Sequence, residues 1–278
     1  MKKVNLINNE LKVPYSDQFS LGMRNRLGDW NTSVTVTHIE SKDGFVFTLA
    51  NRYPNGDFWQ NRSQPWGNSP PGLAGVLLIG DTGIETKSNQ LLLSAEKPFD
   101  RDSRWGATFS YTFTDAEGNR DINEHYAFDQ SSIEEYPWVL SNAAAKHRFV
   151  ATGSYAGPWG LTFAGKLTWS TPIPHTIASC LSGTATFENG APCTVASYAA
   201  DDDGYQSLDL QITKDFEVSD VASFYLRFDI LNVTNEENLV DYIDETGPNG
   251  LITGGRLNPI GNITGFPRTV RGSFGIRF

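Results

Sequence analysis

Apolar and polar residues alternate with period two in nine separate stretches of the chain. The clearest runs over 104–114, where Trp105, Ala107, Phe109, Tyr111 and Phe113 alternate with Arg104, Gly106, Thr108, Ser110, Thr112 and Thr114. Successive side chains of an extended strand point to opposite faces, so this pattern predicts a β-strand with one apolar face and one face of small polar or charged groups. The same pattern predicts strands over 17–27 (Phe19, Leu21 and Met23 against Ser20, Gly22 and Arg24) and 30–40 (Thr32, Val34 and Val36 on the outer row). It predicts a third over 88–97 (Leu91, Leu93, Ala95) and a hairpin across Gly157-Pro158 with Phe149 to Tyr155 on one arm and Leu161, Phe163 and Leu167 on the other. Further strands follow over 205–216 (Leu208, Leu210, Ile212), 223–233 (Phe224, Leu226, Phe228, Ile230) and 270–278 (Val270, Gly272, Phe274, Ile276, Phe278).

The connections alternate as well. They are short after the first, third, fifth and seventh strands and long after the second, fourth, sixth and eighth. Up-and-down barrels that cross a bilayer have short turns on one side and long loops on the other, whereas a Greek-key sandwich is not expected to keep so strict an order. Nine strands leave two unpaired edges, so the predicted fold is all-β: part of an antiparallel transmembrane barrel, one domain over 1–278. Residues 1–15 read as loop, and 41–83 as one long connection in which 76–79 (Val-Leu-Leu-Ile) is too short to span.

Four sequence features carry a family resemblance: the ending GFPRTVRGSFGIRF, the strand and asparagine run FYLRFDILNVTNEEN, the segment LDLQITKDF and the opening PYSDQFSLG. Together they resemble the carboxy-terminal barrel half of TonB-dependent outer-membrane receptors, most closely the Oar-like branch. The resemblance implies a transporter and receptor in the bacterial outer membrane, not an enzyme, in which these would be the last nine strands of a 22-stranded plugged barrel. It implies an amino-terminal barrel half and a plug, through which TonB acts, as partners outside this sequence, with outer-membrane lipid and the barrel-assembly machinery besides. The ending resembles the signal read by that machinery at Arg271, Ile276 and Phe278, with Ser273 where the pattern usually has glycine. The start, MKKVNLINNEL, has no apolar leader core, so the sequence is expected to be part of a longer precursor.

On that frame the apolar residues Phe109, Tyr111, Phe163, Phe224, Phe228 and Phe274 are expected to face lipid. Arg24, Arg104, Lys166, Asp209, Arg227, Asp229, Arg271 and Arg277 are expected to face the lumen or the plug. The loop aromatics Trp59, Trp66, Tyr126, Tyr136 and Trp138 are candidates for substrate contact, and Trp159 sits where an interfacial aromatic belt would place it. Cys180 and Cys193, in one outer loop of a compartment where thiols oxidise, are expected to form a disulfide, with two free thiols or a metal pair as the alternatives.

Composition narrows the classes further. No run of eighteen apolar residues exists, which excludes helical membrane spans and leaves barrels open. The net charge of −10 argues against nucleic-acid binding, which needs a basic stripe. The acids gather in predicted loops, Asp201 to Asp203 among them, but EF-hand spacing is absent. His38, His125, His147 and His175 lie on different segments without metal-ligand spacing. No nucleophile elbow, phosphate loop or dinucleotide fingerprint is present, and no cofactor is expected. The rival class is a secreted soluble β-sandwich binding carbohydrate through loop aromatics; it differs in what the apolar row faces.

Overall fold

In the computed structural model the described residues are 4–49, 63–64, 67–68, 77–120, 125–127, 130, 132–179, 194–201, 204–219, 222–248 and 252–277. Nine strands form one wall: β1 (Tyr15–Leu27), β2 (Trp30–Leu49), β3 (Leu77–Lys97), β4 (Trp105–Gly118), β5 (His147–Ala156), β6 (Leu161–Ser170), β7 (Tyr205–Ser219), β8 (Ala222–Leu231) and β9 (Thr269–Arg277). Their order in the sheet is their order in the chain, every neighbour pair is antiparallel, and β1 and β9 are the two edges. The predicted partial up-and-down barrel wall is therefore the observed fold.

Cross-strand register puts all the apolar rows on one side. Thr32 is opposite Ala95, Ala95 opposite Phe109, Phe109 opposite Ala151, Ala151 opposite Leu167, and Leu167 opposite Leu208. Directly paired residues share a face, so the apolar sets of neighbouring strands merge into one surface. That surface is open: Leu21 is 82% exposed, Phe228 58% and Phe274 82%. Burying one such side chain is worth about 1.5–3 kcal/mol, and a sandwich would have covered these with a second sheet.

The strands are staggered. One ladder row runs from Phe228 through Ile212, Phe163 and Tyr155 to Trp105. It begins six residues into β8, counted from Ala222, and ends on the first residue of β4. Six residues rise about 20 Å and four strand spacings cover about 19 Å, so the line of the strands' lower ends crosses the ladder rows at roughly 45°, and the strands lean by the same angle from the normal to that line. A barrel requires a tilt of this size to close.

Two strands run further than alternation predicts. β2 continues past Glu40 because Asp43, at φ 58°, and shifts in register around Gly44 absorb extra residues, after which Phe45 to Leu49 pair again with Leu78 to Thr82 of β3. A β-bulge of this kind bends a strand without ending it. Residues 77–79, too short to span alone, are thus the start of β3, and Val4–Ile7, read as loop, pairs in parallel with Leu77–Gly80. Above the wall, Val46, Ala127, Ile133, Tyr136 and Val195 form the buried hydrophobic cluster of the described residues, with Ile84 and Val139 against it. Tyr136 is only 4% exposed, and its hydroxyl accepts from the Gln130 amide at 3.3 Å. It is a packing residue, which corrects the expectation that it offers itself to a substrate.

Candidate functional site

The face opposite the apolar one carries the charged groups. Lys166 is in register with Asp209, Gln211 with Asp229, Asp229 with Arg271, and Arg227 with Ser273, so five of the eight predicted lumen residues lie on adjoining rungs. Asp229, 2% exposed, is the hub. Its Oδ1 accepts from Gln211 Nε2 at 2.7 Å and its Oδ2 from Arg271 Nε at 3.0 Å, with Arg227 Nε 3.4 Å from the same oxygen. A buried carboxylate costs several kcal/mol unless it is paired and hydrogen-bonded, and here it is both. Arg24 lies on the same face beside Ser33, and Arg277 holds a ladder position opposite Ser223. Arg104 departs from the prediction: it precedes β4 with φ 62°, donates from Nη2 to the Gly157 carbonyl at 2.5 Å and lies over the Tyr155 ring, so it ties two short turns together.

Beyond β8 the asparagine run folds the next connection back onto the wall. Asn232, at φ 50° and 2% exposed, donates to the carbonyls of Glu236 and Phe266 at 2.9 and 3.0 Å and accepts from the Glu236 amide at 2.9 Å. Asn235 accepts from Arg268 N at 3.2 Å, and Asn238 both accepts from and donates to the Gln206 backbone, at 2.6 and 3.0 Å. Asparagine suits these positions because it tolerates left-handed backbone and its amide satisfies a donor and an acceptor at once.

That fold-back, with the segment after β6, roofs a cavity of about 530 Å³. Its wall side is the polar ends of β5 and β6: Arg148, Lys166, Thr168 and Ser170. Its roof includes Pro172, Pro174, His175, Val240 and Tyr242, and Tyr205, opposite Ser170 at the start of β7, joins the wall side. Gly204 also lines it, packed so closely on Thr171 and Pro172 that a Cβ there would collide with their backbone. The roof is held by two hairpins, His175–Ser179 with Thr194–Tyr198 and Tyr242–Thr246 with Ile252–Leu257. The His175 ring stacks on Tyr242 at 5.1 Å and its Nε2 is 3.6 Å from Asp244, while the Tyr198 hydroxyl donates to Asp244 and Tyr242 donates to the Ile173 carbonyl at 2.7 Å. Burial, reinforced by the hydrogen bond to Asp244 and its charge, pushes the Tyr198 phenol above its ordinary range.

The other predicted residues are placed as follows. Phe109, Tyr111, Phe163, Phe224, Phe228 and Phe274 share the apolar face through register, and the Tyr111 hydroxyl meets His147 Nδ1 at 2.7 Å. Ile276 is on that face and 63% exposed, and Arg271 is on the polar one. Trp159 is 80% exposed in a short turn, and at the same short-turn edge of the wall the rings of Trp30 and Trp105 meet at 6.0 Å. Tyr126 stacks on Phe47 at 5.6 Å and Trp138 lies under Lys87 at 4.9 Å; both keep exposed surface. Trp59, Trp66, Phe278 and the Cys180–Cys193 pair fall outside the described residues. The described residues contain no group of three or more His, Cys, Asp or Glu arranged to hold a metal ion. Sequence reasoning missed the cavity, since Arg148, His175, Tyr205 and Tyr242 lie far apart in the chain; the recurring Asn232, Asn235 and Asn238 were the one signal of the fold-back.

No family model matches the chain, and no curated protein matches it by sequence. Solved structures do match in fold. The outer membrane transporter YddB from Escherichia coli matches with a TM-score of 0.62 and 16% identity over 99% of this chain and 34% of the transporter. The ferripyoverdine receptor of the outer membrane of Pseudomonas aeruginosa, bound to ferripyoverdine, gives 0.51 and 14% over 95% of this chain and 27% of the receptor. The FrpB iron transporter from Neisseria meningitidis gives 0.51 and 10% over 98% and 33%. The chain thus spans about a third of the length of these proteins, and its wall has the fold of part of an outer-membrane barrel.

Proposed function

We propose that this chain is the carboxy-terminal wall segment of a TonB-dependent outer-membrane receptor, of the Oar-like branch its motifs resemble, and that the complete receptor takes up a bulky substrate. The observation that carries the reading is the two-sided wall: one continuous, exposed apolar face and one polar face with a buried ion network, on strands staggered for closure. Lipid is the solvent for the first face; water, plug and substrate meet the second. The long connections then lie outside the cell and the short turns, with the β9 end, in the periplasm. Arg24, Lys166, Asp209, Arg227, Asp229, Arg271 and Arg277 face the plug side, and Arg271, Ile276 and Phe278 present the signal to the assembly machinery. The fold likeness to outer-membrane transporters supports this reading.

Adjacent cysteines of opposite face test it. In the receptor as its gene encodes it, with Cys180 and Cys193 replaced by serine, Ile212→Cys and Thr213→Cys sit at one depth on opposite faces of β7. A water-soluble maleimide should label Thr213→Cys in intact outer-membrane vesicles and Ile212→Cys only after detergent. Equal labelling of both in intact vesicles would refute the two-sided wall.

A further inference from the structure

The chain carries 32 acidic and 22 basic residues, and its acids crowd the outer connections. The cavity beneath the folded-back connections inverts that balance. Among the described residues lining it there is no Asp or Glu, yet Arg148 and Lys166 both contribute. Arg148 is opposite Ser170 and Lys166 opposite Thr152 on the β5–β6 ladder, so the two cations enter the cavity from different rungs of one polar face. Neither has an ion-pair partner among the described residues. The nearest carboxylate in register with Lys166, Asp209, is engaged by the Asn232 amide at 2.9 Å and the Ser207 hydroxyl at 3.0 Å. Thr168 and Ser170 add hydroxyl donors beside the cations, Tyr205 adds aromatic surface opposite Ser170, and Tyr242 adds more from the roof.

Arg148 and Lys166 are solvent-exposed along this concave stretch of the polar face, so an oxyanion arriving between them gains charge-assisted hydrogen bonds from both without either side chain having to be uncovered first. We propose that this cavity is a binding site for an oxyanion-bearing solute, a carboxylate or phosphate ester, with Arg148 and Lys166 as its charge partners, Thr168 and Ser170 as secondary donors, and the Tyr205 and Tyr242 rings against the solute's apolar part. The inference rests on the reading of the polar face as the lumen side. It goes further in naming the chemistry selected there: the acidic outer connections repel small anions in bulk, and this pocket is where an anionic solute that has passed them is held. A lipid phosphate is not the source, because the cavity opens on the face opposite the lipid-facing one.

The test uses the receptor as its gene encodes it, in outer-membrane vesicles, with citrate, inorganic phosphate, maltotriose and spermidine as probes followed by equilibrium binding. Citrate or phosphate should bind and maltotriose and spermidine should not. Arg148→Gln with Lys166→Gln should weaken anion binding about tenfold or more, and Arg148→Lys with Lys166→Arg should restore part of it. On the unaltered protein, raising salt from about 0.05 M to about 0.5 M should weaken anion binding, which keeps the test independent of whether the variants fold. Absence of anion binding, preference for spermidine or maltotriose, or anion binding unmoved in the folded double Gln variant would overturn the site. Fractionation is scored separately: a protein that partitions with soluble proteins refutes the barrel reading, whereas a membrane-embedded protein that binds no anion refutes only this site.

Discussion

Neighbouring residues of β4 offer the sharpest test of the wall, because Phe109 and Ser110 lie at the same depth on opposite faces. Phe109 is four residues above Trp105, about 13 Å along the strand and, at the tilt read from the ladder, about 9 Å above the aromatic edge of the apolar band. A band about 25 Å tall puts it near the middle. Phe109→Arg places a guanidinium where lipid charges cost about 2–4 kcal/mol and removes ring contacts with Trp30 at 5.8 Å and Phe149 at 6.4 Å, worth about 1 kcal/mol together. The expected loss is roughly 3–5 kcal/mol. Ser110→Arg enters the polar face between Ser94 and Val150, where the charge reaches water, and should cost about 0–1 kcal/mol. Urea unfolding of both variants in lipid vesicles measures the difference. Equal losses, or a larger loss for Ser110→Arg, would refute the assignment of faces, and so would a Phe109→Arg penalty that does not shrink when the arginine is moved to Trp105 at the band's edge.

Three further outcomes are expected. Asn232→Ala should lose about 3–4 kcal/mol, from three buried hydrogen bonds and a left-handed backbone, and Asn232→Gly about one less, since glycine accepts that backbone freely; unfolding in denaturant reads both. A double-mutant cycle of Asp229→Asn and Arg271→Gln should give a coupling of about 1–3 kcal/mol, and a coupling near zero would mean that Gln211 and Arg227 satisfy the carboxylate without Arg271. Because the Tyr198 phenol is raised in the folded state, its contribution to hairpin docking is complete below the ordinary tyrosine value near pH 10 and is lost as pH climbs through the folded value. Proteolysis of the 242–257 hairpin should therefore quicken at strongly alkaline pH, and Tyr198→Phe should remove that dependence and expose the hairpin at neutral pH.

The wall was legible in the sequence because each wall strand alternates and its polar side is filled by Thr, Ser, Gly and Arg, a signal that survives residue by residue. The outer halves of β2 and β3 were not: Lys42-Asp43-Gly44 has turn chemistry, and here it makes a bulge that shifts register and resumes the strand, a choice set by pairing with β3. Arg104 has the right parity for the polar face but lies in a turn, where left-handed backbone outweighs alternation. Tyr136 was misjudged because exposure in a loop depends on what folds over it, and the cluster around Val46 is assembled from segments widely separated in the chain. The cavity was invisible for the same reason.

Because the sheet order repeats the chain order without a crossover, the wall is mechanically a zipper. A pull on either end loads one ladder at a time: β9 must leave β8 before β7 feels the force. Extraction from a membrane by an atomic-force tip should then give a sawtooth whose steps release one strand or one hairpin, with peaks ranked by ladder length. The long pairing of β2 with β3 should give the highest peak, and no single rupture should free the whole sheet.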